Sequence, residues 1–244
     1  MKKIYFGKDV IWNTMLVIAV VFASFVLPLM PAVWQRNTFM VVYTIIYITA
    51  IISLENRSNK TILLFVITVL LAWISELFHF NTLEIISKGV NIIYFLVIVI
   101  SLIKQIASAR EVTAGVILSS IAGYLLMGII FSIFISYIML HDPAAFTAIQ
   151  VEDSNEAGKA NVSFPMYFSY VTLASLGYGD VLPLKPYTRS LATFIVISGQ
   201  FYMAIIVAML VGKFLAQQEA KPTSKGATSP RKSSSPHKAE RSGS

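Results

Sequence analysis

The sequence predicts an all-α membrane protein with six transmembrane helices and a short re-entrant segment between the fifth and the sixth. Of its 244 residues, 56% are hydrophobic and only 13% are charged, whereas soluble domains average roughly 45–50% apolar and about 25% charged residues. The apolar residues form runs close to the roughly 20 residues that a helix needs to cross a bilayer. The sequence has no cysteine, which excludes disulfide frameworks and thiolate metal sites.

Six apolar runs define the predicted spans, and they cover residues 10–33, 38–54, 61–80, 84–104, 114–140 and 187–213. The second run is short and can extend at either end. After the fifth run, the polar residues 141–160 lead into the apolar stretch VSFPMYFSYVTLAS, residues 162–175. This stretch is too short to cross a membrane, so we expect it to form a re-entrant or interfacial helix.

The basic residues predict the orientation of the spans. Most of the 19 Lys and Arg residues fall on the side of the predicted topology that carries both termini, and the positive-inside rule makes that side cytoplasmic. We therefore expect an integral protein of the plasma membrane with both termini in the cytoplasm. Topology accounts for the net charge of +7 better than nucleic-acid binding does.

The last residues, 217–244, are rich in Ser, Pro and Lys and contain no aromatic residue. Such a segment buries too little apolar surface to fold, so we expect a disordered basic cytoplasmic tail. Its positive charge favours a role in setting topology, and contact with anionic membrane lipid is the alternative.

The stretch TLASLGYGDVLP, residues 172–183, is polar and glycine-bearing although it lies among apolar runs. Irregular backbone at membrane depth is tolerated only where it is buried in protein or lines a watery cavity. Gly177 and Gly179 permit backbone conformations that turn successive carbonyl groups toward one axis. Rings of carbonyl oxygens can replace the hydration shell of a cation, and the carboxyl end of a preceding short helix favours a cation there.

This motif resembles the signature of the tetrameric potassium channel family, in its six-transmembrane form with one pore loop per chain. The resemblance covers roughly residues 115–215. It implies a homotetramer that needs no cofactor and conducts K⁺ as the permeant ion, through a selectivity filter made of Ser175, Leu176, Gly177, Tyr178 and Gly179. The backbone carbonyls of Ser175 to Tyr178 would hold the ion.

The resemblance also implies that Thr172 and Asp180 support the filter from the pore helix and from the outer mouth. The family usually has Thr and Val where this chain has Ser175 and Leu176. Serine keeps the hydroxyl but loses a methyl group that restricts the side chain, so we expect a looser innermost ion site.

The last span contains Gly199 near its middle, where the family places a gating hinge. The alternative is that Gly199 permits close helix packing, which is common in membranes. Beyond it, Met203, Val207 and Val211 recur at four-residue spacing and share one helix face. We expect this face to line the cavity below the filter, and contact with lipid or another helix is the alternative.

The chain divides into a four-helix transmembrane domain at residues 1–110, a pore domain at 111–216 and the tail at 217–244. The first domain resembles a voltage sensor without an arginine-rich fourth helix, because its fourth span carries Lys88 and Lys104 with no cation between them. We expect weak or absent voltage sensing, since each gating charge contributes only about 2.3 kcal/mol per 100 mV. Glu76, with His79 one turn on, either pairs with Lys88 or reaches outward to the interface.

These patterns predict a non-enzymatic, K⁺-selective channel subunit that carries out passive transport. Two alternatives remain, a non-selective cation channel and a non-conducting subunit that modulates another channel. A membrane enzyme is disfavoured because the sequence offers no paired carboxylates at a shared depth, metal-ligand cluster or nucleophile–base set.

Overall fold

The computed structural model describes residues 8–54, 58–78, 81–109, 111–147 and 163–219. Within these ranges the protein is helical, and its only β contact is an isolated bridge between Phe146 and Pro183. The α-helices in chain order are α1 (Lys8–Val21), α2 (Ala32–Ser53), α3 (Asn59–Phe78), α4 (Asn81–Ser108), α5 (Ala114–His141), α6 (Ser163–Leu173) and α7 (Pro186–Glu219). The predicted all-helical fold class is confirmed for this part of the chain.

Among the described residues, four stretches are long and apolar enough to cross a membrane. They are Val10–Leu29, Ile85–Ser108, Ala114–His141 and Pro186–Glu219. The second and third predicted spans contain the shorter apolar helices Thr38–Ser53 and Asn59–Ser75. A membrane protein with several helical spans is therefore supported, and the count of six stays a prediction.

The first predicted span differs most from the observed element. Helix α1 ends at Val21, a π-helical turn follows at Phe22–Val26, and a 3₁₀ turn at Leu27–Leu29 completes the run. Pro31 then stands at the N-cap of α2, so residues 32 and 33 belong to the second helix and not to the first. The two prolines of this region, which lack a donor for an α-helical hydrogen bond, explain the break.

Helix α5 is central to the described structure, because α1, α4, α6 and α7 all contact it. The larger core cluster joins residues of α1, α2, α4 and α5 to Tyr202 and Ile206 of α7. A buried amide also links these elements: Asn13 Nδ2 donates to the Gly115 carbonyl at 3.1 Å, and the Ser53 hydroxyl donates to Asn13 Oδ1. Helices α1 and α4 thus pack on α5 of the same chain.

Lys213 ties the end of α4 to α7. Its ammonium group donates to the carbonyls of Ile106, Ala107 and Ala109, the last two at 2.7 Å. The last carbonyls of a helix have no partner within the helix, and a cation is stabilised at that negative end. Lys213, one of the basic residues predicted to lie on the cytoplasmic side, therefore also caps the end of α4.

Lys213→Met is expected to loosen the connection between α4 and α7. Losing these hydrogen bonds costs about 1–2 kcal/mol, which corresponds to a fall of about 2–8 °C in melting temperature for a chain of this size. Hydrogen exchange should speed up at residues 105–113. Lys104→Met is the matched control, since Lys104 is exposed on α4; equal effects from both variants would contradict the capping role.

Several sequence expectations lie outside the described residues. These are the side chain of Glu76, residue His79, the loop at 148–162 and the tail from residue 220 onward. Residues 217–219, which the sequence assigned to the disordered tail, instead form the end of α7, which continues past the predicted boundary. The Glu76 pairing, the disordered tail from residue 220 onward and the three-part division of the chain stay predictions.

Candidate functional site

The site begins where α6 ends. The predicted short helix is present as the 11 residues Ser163–Leu173, and the chain then leaves helical geometry through a turn at residues 174–175. Backbone hydrogen bonds shape this turn: Ser175 N donates to the Thr172 carbonyl at 3.0 Å and Leu176 N to the Val171 carbonyl at 2.9 Å. Thr172 itself is buried, so the predicted supporting residue lies inside the structure that holds the turn.

The backbone from residue 175 to residue 179 alternates in handedness. The φ angle is +59° at Ser175, +55° at Gly177 and +80° at Gly179, whereas Leu176 and Tyr178 keep negative φ. Alternating positive and negative φ is a backbone geometry that can aim successive N–H groups to one side. The two glycines supply this geometry at low cost, and Ser175 adopts a conformation that few non-glycine residues take.

Side chains hold both ends of this segment. At the end next to α6, Gln200 of α7 donates from Nε2 to Ser175 Oγ at 2.7 Å. At the end after Gly179, the Tyr167 hydroxyl donates to Asp180 Oδ2, while Asp180 Oδ1 accepts from Val181 N at 3.0 Å. The bond to Asp180 raises the pKa of Tyr167 to about 12, so the phenol stays a donor up to strongly alkaline pH.

Residues 142–147 form hydrogen bonds with the chain that follows the glycine segment. Thr147 N donates to the Leu182 carbonyl at 2.9 Å, and Leu184 N donates to the Ala145 carbonyl at the same distance. Arg189 Nε also donates to the Pro183 carbonyl at 3.2 Å. The end of the glycine segment after Gly179 is therefore anchored to the loop that follows α5 and to the start of α7.

The position of α6 depends on a close approach to α5. Gly128 lies so near the Tyr170 ring that a β-carbon there would be 2.2 Å from Tyr170 Cε1. The Tyr170 hydroxyl donates to the Leu125 carbonyl at 2.7 Å and lies 2.7 Å from the hydroxyl of Ser24. A phenol has one proton, so Ser24 is the donor of the second bond. Ser24 belongs to the π-helical turn, a feature often found at functional sites.

Tyr170→Phe is expected to lower stability and disturb the glycine segment, because it leaves the Leu125 carbonyl and the Ser24 hydroxyl without this partner. The expected cost is about 1–3 kcal/mol. It would be measured as a drop in melting temperature together with reduced ion selectivity in reconstituted protein. Tyr137→Phe removes a half-exposed phenol from α5 and serves as the control; identical behaviour of the two variants would refute a supporting role for Tyr170.

Gly199 lies where α7 crosses the end of α6. A β-carbon at Gly199 would be 2.2 Å from the Leu173 carbonyl oxygen and 3.1 Å from its carbon. Gly199 is buried and α7 runs through it as one helix. This contact favours the close-packing interpretation over the hinge, because the glycine is needed to admit a backbone atom next to the glycine segment.

Below that crossing, α7 presents an apolar groove. The groove has a volume of about 530 Å³ and is lined by Gln200, Met203, Ala204, Val207, Ala208 and Val211. The predicted stripe of Met203, Val207 and Val211 is thus on one face, and each of these side chains is about half exposed in the single chain. Its expected role as a cavity lining stays a prediction.

The comparisons with known proteins concern this half of the chain. Residues 123–216 match the family model described as "Ion channel". A stretch of 55 residues is 36% identical to "Two-pore potassium channel 5" of Arabidopsis thaliana, and covers 22% of this chain but only 14% of that protein. No solved structure gives a significant match. Together they support an ion-channel family and an integral membrane protein.

Sequence reasoning found the glycine segment, Thr172 and Asp180, but it missed the side chains that hold them. Tyr167, Tyr170 and Gln200 lie within apolar stretches and were not singled out by the sequence. One signal was available for Gln200, since an amide inside an apolar span usually has a partner or a function.

Proposed function

We propose that this chain is the subunit of a homotetrameric, K⁺-selective channel that conducts passively across the plasma membrane. The observation that carries the proposal is the alternation of φ at Ser175, Gly177 and Gly179, directly after the end of a short helix. An extended segment with its carbonyls on one side supplies the ligands that a dehydrated cation needs. The carboxyl end of α6 adds a negative helix dipole at the inner end.

Potassium is the proposed ion for two reasons. The residues LGYG keep the glycine–tyrosine–glycine core of the potassium channel signature, and the relative that matches over 55 residues is named a potassium channel. Carbonyl oxygens of Ser175, Leu176, Gly177 and Tyr178 would replace water around K⁺. Selectivity then follows from the size of the site or from the number and field strength of its carbonyl dipoles. No covalent chemistry and no cofactor are needed.

A tetramer is proposed because one chain supplies one filter segment, whereas an ion must be surrounded. In the single chain the Tyr178 side chain is 68% exposed and Phe201 of α7 is 65% exposed. Three further copies around an axis beside the filter would cover these side chains. The groove of α7 would then become part of a shared central cavity, with Met203, Val207 and Val211 on its wall.

The four helices before α5 are proposed to act as a scaffold with weak or no voltage sensing. Between Lys88 and Lys104, α4 carries no basic residue, so little charge is available to move in the field. The distribution of positive charges supports termini on the cytoplasmic side under the positive-inside rule. The filter and the loop anchored by residues 142–147 would then face the outer side.

The proposal is tested by purifying the chain, measuring its oligomeric mass in detergent and reconstituting it in liposomes loaded with K⁺. A tetramer and a K⁺ efflux that collapses when Na⁺ replaces K⁺ are expected. A monomer, or liposomes that release no K⁺, would overturn the proposal and favour a modulating subunit. Equal flux of Na⁺ and K⁺ would favour a non-selective channel.

A further inference from the structure

The inner end of the glycine segment carries a bond that the family signature does not require. Gln200 Nε2 donates to Ser175 Oγ at 2.7 Å, and it joins the middle of α7 to the first filter residue. The other five residues that line the groove are apolar. Gln200 and Ser175 are both exposed in the single chain, so this bond lies on the surface of the subunit that borders the groove.

The bond has a specific consequence for Ser175. A serine hydroxyl swings among three staggered positions, while a threonine is restricted by its branching methyl group. The amide of Gln200 holds Ser175 Oγ in one direction, and the oxygen keeps a second lone pair that is free to face a cation. The restraint that a methyl group would supply is replaced by a hydrogen bond from another helix.

We propose that Gln200 is the positioning residue of the innermost ion site, where it fixes the Ser175 hydroxyl as a K⁺ ligand. This inference rests on the proposed function, since it assumes that Ser175 contacts the permeant ion. Gln200 acts through Ser175 and is not itself a ligand in this account. The proposal differs from the expectation of a looser innermost ion site, because a hydrogen bond from α7 restrains the Ser175 hydroxyl.

The test is a double-mutant cycle on unitary K⁺ conductance in reconstituted protein. The quantity measured is the K⁺ concentration for half-maximal conductance, varied on the side of the α7 groove. Gln200→Met removes the donor at similar length, and Ser175→Ala removes the acceptor. Each single change should raise the half-saturating concentration by about three- to tenfold, the range for one net hydrogen bond.

The double variant should be no worse than either single variant, because the two residues act as one pair. A purely structural role would change the number of conducting channels and leave the half-saturating concentration unmoved. Ile205→Met, on the same helix but outside the groove lining, controls for a hydrophobic change in α7. Gln200→Asn keeps an amide but shortens its reach, so it tests the same bond should the methionine variant fail to assemble.

The outcomes separate this inference from the proposed function. Wild-type protein without selective K⁺ conductance would refute the proposed function. Selective wild-type conductance with no shift in Gln200→Met or Gln200→Asn would refute only the positioning role. Additive shifts in the double variant would also overturn it, because Gln200 would then act on the cavity independently of Ser175.

Discussion

Gly177→Ala is expected to abolish K⁺ flux and to leave the chain folded. Gly177 has a φ of +55°, and a β-carbon there would meet nothing within 4 Å in the chain. The substitution therefore causes no clash and acts only on the backbone, where left-handed geometry costs an alanine about 1–2 kcal/mol. Relaxation to negative φ would break the alternation of residues 175–179 and turn a carbonyl away from the ion.

Flux should fall at least about 100-fold, while the melting temperature changes by no more than about 2–8 °C, as expected for such a strain in a chain of this size. Gly89→Ala is the matched control, because Gly89 is helical and a β-carbon there also meets open space. Alanine stabilises a helix by about 1 kcal/mol relative to glycine. The control should therefore conduct normally and have a slightly higher melting temperature. If Gly177→Ala retained selective flux, the assignment of Gly177 to the filter would be wrong.

Gly199→Ala is expected to destabilise the pore region and not simply to alter gating. The added β-carbon would lie 2.2 Å from the Leu173 carbonyl oxygen, closer than real contacts allow. A backbone atom cannot rotate out of the way as a side chain does, so α6 or α7 must shift. Overpacking of this kind costs about 1–3 kcal/mol, and the displaced atom lies two residues before Ser175.

The hinge and the close-packing interpretations predict different results for this variant. A hinge role predicts normal assembly and melting with a changed probability of opening. Close packing predicts a lower melting temperature, fewer tetramers and a lower K⁺ selectivity, since the end of α6 moves. Gly212→Ala on the same helix meets no atom within 4 Å, so it should leave tetramer assembly and K⁺ selectivity unchanged and raise the melting temperature slightly. Normal stability and normal K⁺ selectivity in Gly199→Ala would contradict close packing and support the hinge interpretation.

The sequence predicted those features that depend on local composition. Apolar runs located the long helices, and the length of residues 162–175 separated α6 from the spans. Helices α3, α4 and α5 agree with the prediction to within four residues, whereas α2 begins six residues earlier and α7 ends six residues later than predicted. The first run differs most, because a hydropathy pattern does not register the π-helical turn at Phe22–Val26 or the break before α2.

The contacts that hold the site were beyond sequence reasoning because they join distant residues. Ser24 and Tyr170 are brought together only by the packing of α1 and α6 on α5, and Gln200 reaches Ser175 only because α7 crosses α6 at Gly199. That crossing also favours one of the two interpretations of Gly199 that the sequence left open. The sequence shows that Gly199 is an unusual residue for the middle of a helix. The nearby Leu173 carbonyl oxygen explains why a glycine is needed there.

Discrimination between K⁺ and Na⁺ is the property that most directly tests the proposed function. The measurement is the reversal potential of reconstituted protein with K⁺ on one side of the bilayer and Na⁺ on the other. A permeability ratio of about 100 displaces the reversal potential by about 120 mV, in the direction in which K⁺ carries the current. This displacement is the predicted result, and a reversal potential near zero would contradict a K⁺-selective filter at residues 175–179.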